Sequence, residues 1–423
     1  MEQKKSFICI DLKSFYASVE CVERGLDPFK TNLVVADPSR SKSTICLAIT
    51  PAMKSQGVKN RCRIHEIPEG IEYITAMPRM QLYIDYSARI YSIYLRYVSK
   101  EDIHVYSIDE CFMDVTNYLS LYHMTEKEMA VELMRAVMEE TGITATAGIG
   151  TNLYLAKIAM DIVAKHVDDH IGILDEISFR KKLWTHQPLS DFWRIGSRTE
   201  KKLAGYGIHT MGDIARASIT SEDWLYKMFG IDAELLIDHA WGLESCRMSD
   251  IKSYHTEERS LSNGQVLMRN YSYEEAVVVV REMTDVLVLD LADKGLVTDS
   301  VTLWIAYDHK LERPSSHGTV KFDYLTNSSR SIMDGVENLY RQIVDRYTGI
   351  RRIEICANRV KVESYLQYNL FMDMEAVEKE KNLQKAVLSV QKRYGKNAIM
   401  RGANLLDCST YRERNGQIGG HRA

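Results

Sequence analysis

The sequence predicts an α+β protein of several domains, and three observations carry that prediction. Residues 7–165 alternate apolar runs of strand length with stretches of helical apolar spacing, and a second alternation of the same kind fills residues 254–362. The third is length: 423 residues exceed what one hydrophobic core of ordinary size organises, so roughly two to four domains are expected.

The elements follow in order. Phe7 to Asp11 is a short apolar run that reads as a strand ending at Asp11, and Ser14 to Glu23 follows as a helix through Phe15, Val19 and Val22. Arg79 to Val98 has apolar residues three and four apart, which predicts a long amphipathic helix. Ile103 to Val115 reads as two strands broken near Ser107–Glu110, a hairpin. Glu126 to Thr141 is helical by spacing, Ala145 to Ile149 is a strand with Gly148 and Gly150 at its end, and Asn152 to Lys165 is helical again. This order, β-α-(insertion)-α-β-β-α-β-α, is that of a ferredoxin-like core interrupted at about residues 25–78. Inside the insertion, Ile45, Leu47 and Ile49 read as a strand and Ala52–Gln56 as a short helix ended by Gly57.

Farther on, Pro188 to Ala215 reads as a short helix, a tight turn at Ile195–Gly196 and a helix through Lys201 to Leu203. The polar stretch Glu244–Lys252 reads as a linker. Then come Tyr254–Val266, a helix at Tyr273–Lys294, an alternating strand at Val301, Leu303, Ile305 and Tyr307, a helix near Arg330–Tyr347 and a strand at Ile353–Val360, a second ferredoxin-like order. A helical stretch at Glu375–Tyr394 and a polar, Gly-containing end complete the chain.

Composition narrows the function classes. An apolar fraction of 45% with 26% charged residues is that of an ordinary soluble globular protein. The opening MEQKKSFICIDL has too short an apolar run for a signal peptide or a membrane span, so a cytoplasmic location without membrane partners is expected. The eight cysteines stand as singles with no Cys-x-x-Cys pair, which points to buried reduced thiols rather than zinc or redox work. A net charge of −4 argues weakly against nucleic acid, because the sum says nothing about how charge is distributed.

The chemistry gathers on the first core. If the strand ending at Asp11 pairs beside the hairpin, Asp11, Asp109 and Glu110 converge, with at most two of them cleanly on one face because neighbouring strand residues alternate sides. Three hard oxygen ligands without histidine or cysteine suit Mg²⁺ or Mn²⁺ shared with substrate phosphates. Two such ions support in-line nucleotidyl transfer. Spacing alone is a weak signal, since an Asp-Glu pair in a hairpin is most often a solvated turn.

The residues themselves carry more. The runs DLKSFYASVE (Asp11–Glu20), YSIDECFMDV (Tyr106–Val115) and GIGTNLYLAKIAMDIVAKH (Gly148–His166) together resemble the three palm motifs of Y-family, lesion-tolerant DNA polymerases, nearest in style to the UmuC and DinB branches. The likeness spans roughly residues 5–371 and implies a multidomain right-hand polymerase. It assigns a palm to residues 1–24 and 79–166, fingers to 25–78, a helix-hairpin-helix thumb to 167–243, a linker to 244–253, a little finger to 254–362 and a tail to 363–423.

Position by position, the resemblance makes Asp11, Asp109 and Glu110 the catalytic, metal-binding carboxylates, with the Leu12 carbonyl as a further ligand to two Mg²⁺ ions, Mn²⁺ being the alternative. Tyr16 matches a steric gate that leaves no room for a 2′-hydroxyl, with Phe15 beneath it. Lys54 falls on the triphosphate position. The usual tyrosine three residues before it is Pro51, leaving Thr50 as a substitute hydroxyl. Lys165 resembles a second triphosphate lysine one residue beyond the usual spacing, and Lys157 competes for that role.

The turn Ile195–Gly196 implies backbone N–H contacts to a DNA phosphate, with Arg194 where a first glycine is common. Arg259, Arg269 and Lys321 are further candidates for DNA phosphates. QYNLF, with Gln367, Leu370 and Phe371, resembles a sliding-clamp-binding peptide. The implied activity is error-prone translesion synthesis on primer-template DNA with deoxynucleoside triphosphates, in DNA repair and SOS mutagenesis, with a recombinase filament or accessory mutagenesis subunits as further partners. Two alternatives stay open: another two-metal palm enzyme such as a nucleotide cyclase, and a catalytically inactive DNA-binding or clamp-recruiting protein.

Overall fold

The structure, a computed structural model, describes residues 5–39, 44–256, 259–308, 312–363 and 373–423. The chain divides into two units, Met1–Tyr254 and His255–Ala423.

The first unit begins with β1 (Phe7–Leu12) and α1 (Phe15–Val22), followed by the inserted segment: β2 (Leu33–Val35), β3 (Ala48–Ile49), α2 (Pro51–Ser55) and β4 (Ile74–Ala76). Pro51 sits at the first turn of α2, where its missing N–H costs nothing. Then come α3 (Met80–Tyr94), β5 (Ile103–Val105), β6 (Glu110–Asp114), α4 (Thr116–Tyr122), α5 (Glu126–Thr141), β7 (Ala145–Gly150), α6 (Leu153–Ile158) and β8 (Ile171–Leu174). The sheet runs β5-β6-β1-β7-β8, with β8 alone parallel to its neighbour, and the insertion has its own sheet, β3-β2-β4. The five-stranded order places β1 between the hairpin strand β6 and β7, so the end of β1 lies beside the start of β6.

The stretch expected to be helical over Asn152–Lys165 is so, with α6 giving way to a π-helical stretch, Ala159–Val163, and a 3₁₀ turn, Ala164–His166. One expectation is corrected. In the insertion only Ala48–Ile49 pair as a strand, because Ile45 makes an isolated bridge to Arg63 instead.

The unit continues through α7 (Glu176–Leu183), α8 (Ser197–Ala204), α9 (Met211–Thr220), α10 (Glu222–Phe229), α11 (Asp232–Trp241) and α12 (Met248–Ser253). The stretch expected as a polar linker is therefore structured. Glu244 accepts from His239 and the Cys246 N–H, and Met248 buries itself among Phe7, Cys9, Phe112 and Met160. Met248, with Cys246 and Ile251 packed beside it, docks a segment whose composition reads as loop.

The second unit is β9 (Arg259–Tyr271), α13 (Tyr273–Asp293), β10 (Leu296–Tyr307), β11 (Ser316–Thr326), α14 (Ser329–Ile343) and β12 (Ile350–Val362), with sheet order β11-β10-β12-β9, all antiparallel. Its core is one cluster in which Val279, Met283 and Leu287 of α13 meet Val301, Leu303 and Ile305 of β10 and Ile353 and Ile355 of β12. β11 escaped the sequence reading because its alternate residues are only partly covered.

After it, α15 (Met374–Tyr394), α16 (Tyr411–Asn415) and the two-residue strands β13 (Gln417–Ile418) and β14 (His421–Arg422) belong to the same unit. The attachment is polar. Glu380 caps α14 by accepting from Ser328 Oγ at 2.9 Å and the Arg330 N–H at 3.0 Å, and Gln384 donates to the Asn327 carbonyl at 3.0 Å. Glu282 of α13, 1% exposed, accepts from Asn404 Nδ2 at 3.2 Å and the Thr410 N–H at 3.1 Å, so the tail supplies the partners a buried carboxylate requires.

Asp285, one turn on, pairs with Arg401 at 2.6 Å, yet burial outweighs that cation and pushes its carboxyl up to about 6. A folded value above the unfolded one means the group adds stability below pH ~4 and loses it as pH rises toward 6. We therefore expect Asp285→Asn to raise the melting temperature of the intact chain at pH 7 relative to wild type, by the equivalent of roughly 1–3 kcal/mol, and to narrow that gap at pH 4. Melting curves of both proteins across this range check it; a gap independent of pH refutes it.

Candidate active site

The site begins with strand arithmetic. On β1 the odd residues Phe7, Cys9 and Asp11 share a face, and the register pairs Asp11 with Glu110 and Cys9 with Phe112 on β6. Asp11 and Glu110 are thus directly opposed. Asp109, one residue earlier on the turn, is held by its backbone: its carbonyl accepts the Leu12 N–H at 2.9 Å. Ser107 Oγ donates to Asp109 Oδ1 at 2.6 Å.

The three carboxylates are electrostatically uneven. Burial, then Asp109 and Glu110, push Asp11 up to about 7. Burial also raises Glu110, but Lys157 Nζ, 2.8 Å away, works against the rise, and Cys9 Sγ donates to the same oxygen at 3.4 Å. Lys157 bonds Asp161 as well, at 3.1 Å; burial draws its amine down, and Asp161 and Glu110 more than offset that, so it stays charged. Among the described residues no three His, Cys, Asp or Glu side chains are drawn into a ready-made metal nest. The reason is legible: Glu110 has turned to the lysine rather than to its like-charged neighbours. An all-oxygen donor set of this kind fits a hard divalent cation.

Tyr16, half-buried, faces this cluster closely enough that Asp109, after burial, raises its hydroxyl while Arg61 lowers it. Its ring stacks on Tyr83 at 4.5 Å and 20°, and Phe15 lies 5.7 Å away, tilted and buried. Behind them, Tyr83 OH donates to Glu20 at 2.7 Å, and fully buried Glu20 also accepts from Arg79 at 2.8–2.9 Å and from Arg24. Tyr83 and Arg61 were not found from the sequence: a buried aromatic on α3 and one of several basic residues in a loop carry no local mark.

Lys54 projects from α2; desolvation lowers its amine, with Asp11 opposing and Lys165 adding to the shift. The two lysines and Asp11 therefore share one electrostatic neighbourhood. A π-helical stretch carries one more residue per turn than an α-helix. Such a stretch at Ala159–Val163 lies directly before the turn that carries Lys165. Lys157 is committed to Glu110 and Asp161. Thr50 is corrected: it is fully buried, and its Oγ1 accepts the Leu33 N–H at 3.1 Å, so it tethers β2 instead of facing a ligand.

At the expected phosphate-contacting turn, Gly196 begins α8, Ile195 is buried as an anchor, and exposed Arg194 adopts φ 69°, the left-handed region that favours glycine. Its guanidinium lies 5.0 Å over the Trp193 ring. We expect Arg194→Gly to relieve roughly 1 kcal/mol of backbone strain and raise the melting temperature, while weakening DNA binding and flattening its salt dependence by about one phosphate contact. Thermal melting and a salt titration of DNA affinity read both effects. In the second unit, Arg259 and Lys321 are exposed. Arg269, also exposed, is engaged by Glu275 at 2.6 and 2.9 Å, next to the cap of α13. The peptide at Gln367, Leu370 and Phe371 lies outside the described residues.

The whole chain is similar to known proteins. Residues 10–161 match the impB/mucB/samB family, and residues 258–370 match the C-terminal domain of that family. The UvrX protein of Bacillus subtilis (strain 168), named for UV-damage repair, is 30% identical over 99% of this chain and 98% of its own. DNA polymerase IV 2 of the same organism is 30% identical over the whole of both chains, and DNA polymerase IV of Pelotomaculum thermopropionicum is 28% identical over 96% and 97%. A solved Y-family DNA polymerase chimera, Dbh-Dpo4(243-245)-Dbh, shares the fold with a TM-score of 0.65 at 22% identity, over 84% of this chain and 99% of its own.

The chain belongs to the Y-family of translesion DNA polymerases. It is a DNA-directed DNA polymerase of the multidomain right-hand type with a little-finger domain, acting on primer-template DNA and deoxynucleoside triphosphates, and its chemistry depends on a divalent metal. The cyclase alternative does not survive this. Among the described residues no helix is long and apolar enough to cross a membrane.

Proposed function

We propose that the enzyme adds nucleotides opposite damaged template bases by two-metal transfer, with Asp11, Asp109, Glu110 and the Leu12 carbonyl holding two Mg²⁺ ions, Mn²⁺ being a substitute. The observation that carries this is the direct opposition of Asp11 and Glu110, with Asp109 on the adjoining turn and Tyr16 facing it. When bound, the cations lower the charge on the reacting phosphate and acidify the attacking hydroxyl. The chain's own residues do the rest. Lys157 holds Glu110 in place, Lys54 and Lys165 neutralise the triphosphate, and the turn Ile195–Gly196 with Arg194 seats a template or primer phosphate.

In this reading, residues 1–24 and 79–166 form the palm, 25–78 the fingers, 167–243 the thumb and 254–362 the little finger, with Arg259 and Lys321 on DNA phosphates. Gln367, Leu370 and Phe371 dock on a sliding clamp, and the work belongs to damage-induced mutagenesis together with a recombinase filament or accessory subunits.

Tyr16 excludes ribonucleotides by occupying the space of a 2′-hydroxyl, with Phe15 below it. Primer extension on undamaged and abasic templates tests the whole reading. Wild type extends slowly with deoxynucleotides only, and Tyr16→Ala gains ribonucleotide use by roughly 10²-fold, about 2.7 kcal/mol of lost discrimination. Unchanged sugar selectivity in Tyr16→Ala removes the gate from the proposal, and no extension by wild type removes the proposal itself.

A further inference from the structure

Trp193 stands immediately before the turn Arg194–Gly196 and touches the elements that carry the carboxylates. Its indole N–H donates to Tyr106 OH at 3.1 Å, and the two rings meet edge to face at 5.8 Å. Tyr106 leads into the Ser107–Asp109 turn, and its N–H bonds back to the Glu110 carbonyl at 3.0 Å. Trp193 also lies 5.9 Å from Phe112, two residues past Glu110 and on the same face of β6. On its other side it lies nearly parallel to His239, at 6.3 Å and 18°. His239 in turn stacks on Tyr154 at 3.9 Å and 12° and bonds Glu244 at 3.0 Å. Tyr154 is on α6, one turn before Lys157.

One half-buried indole thus joins the turn to both partners of the Lys157–Glu110 pair: to β6 directly, and to α6 through two stacked rings. Arg194 extends the same stack outward, over the indole. Rings held by stacking and a hydrogen bond transmit displacement with little slack, since tightly packed side chains do not deform continuously. The arrangement contains no ligand-binding chemistry of its own. It is a spacer.

We infer that Trp193, together with Tyr106 and His239, is a positioning residue that fixes the distance between the DNA-gripping turn and the catalytic carboxylates, so that a gripped duplex presents its primer end in register. The inference rests on the proposed role of the Ile195–Gly196 turn. These contacts meet the grip only through the Arg194 stack and the chemistry only through the Glu110 backbone, so loosening them misplaces the primer end more than it weakens the grip. Displacements near an ångström are enough to cost a large part of a reaction rate.

Single-turnover incorporation with the full chain, measured at saturating DNA and nucleotide, is therefore paired with DNA affinity and thermal melting. Trp193→Leu is expected to lower the incorporation rate roughly 10- to 100-fold with DNA affinity changed less than about threefold. Tyr106→Phe and Trp193→Phe each remove the same hydrogen bond, should each cost a few-fold in rate, and should not add when combined. Trp193→Phe retains an aromatic face for His239 and should recover most of the rate lost in Trp193→Leu.

A loss of DNA affinity with the rate intact makes Trp193 part of the grip and overturns the inference. A lowered melting temperature with rate and affinity intact makes it a packing residue and overturns it equally. Failure of the underlying reading looks different: replacing Arg194 and Gly196 would then leave DNA affinity and its salt dependence untouched.

Discussion

Asp109→Ala lowers nucleotide incorporation roughly a thousand-fold and leaves the melting temperature close to that of wild type. In the proposed reading the magnitude follows from losing one oxygen ligand and its share of charge stabilisation, about 4 kcal/mol at 1.4 kcal/mol per decade. The unchanged stability follows from where Asp109 sits. Its backbone carbonyl keeps the Leu12 N–H in any variant, and its side chain bonds only the neighbouring Ser107 hydroxyl among the contacts described.

Removing it also relieves repulsion on Asp11, which Asp109 helps to push up to about 7. Active-site carboxylates gathered for a cation are stored repulsion, and such positions commonly trade stability for activity. Glu110→Ala is the less clean experiment. It strips Lys157 of one of its two acidic partners and empties a buried position beside Cys9, so folding and chemistry fail together. Single-turnover rates and melting curves of Asp109→Ala decide the matter: incorporation at the wild-type rate strikes Asp109 from the ligand set, and a large fall in melting temperature makes it structural.

What the sequence revealed and what it hid divide along a physical line. Strand period and hairpin length are local, so β1, β5 and β6 could be placed, while the approach of Asp11 to Glu110 was conditional on a pairing that only the register supplies. The limit on shared faces was also readable: the two opposed residues share one, and Asp109 is one step off. Contacts made by folding at a distance were hidden. Nothing near Tyr16 announces Tyr83, and nothing near Arg269 announces that Glu275 needs it after a sharp bend.

Thr50 had the right chemistry for a phosphate but the wrong exposure, which is a property of the insertion's small core and not of the threonine. The tail was opaque for the same reason. Its polar residues look solvated until Glu282, buried on α13, is seen to depend on Asn404 and Thr410. The π-helical stretch before Lys165 is a backbone property that apolar spacing does not announce.

That stretch depends on an unusually close seat, and the second large effect lies there. Gly172→Ala should deprive the chain of a stable first unit. A Cβ at Gly172 of β8 would stand 2.1 Å from the Ala159 carbonyl oxygen and 2.9 Å from the Ala164 amide, both backbone atoms that cannot swing aside. Gly148 on β7 is as tight, 2.0 Å from the Ala156 oxygen and 2.3 Å from the Met160 nitrogen, and Gly150 stands 2.2 Å from the Ala156 nitrogen. Three glycines thus let helix backbone rest directly on sheet backbone.

One added methyl must lift the helix from the sheet, opening the packing of Ala156, Ala159 and Met160 and drawing Lys157 away from Glu110. Overpacking of this severity costs about 3 kcal/mol or more. Soluble yield, thermal melting and limited proteolysis of Gly172→Ala and Gly148→Ala measure it. Gly57→Ala serves as the comparison, since its Cβ meets open space and only its positive φ is strained. If Gly172→Ala melts like Gly57→Ala, the seat yields more easily than its backbone contacts imply. If it unfolds while Gly57→Ala survives, then Gly172, with Gly148 and Gly150 that read in the sequence as the end of a strand, seats the helix and brings Lys157 to Glu110.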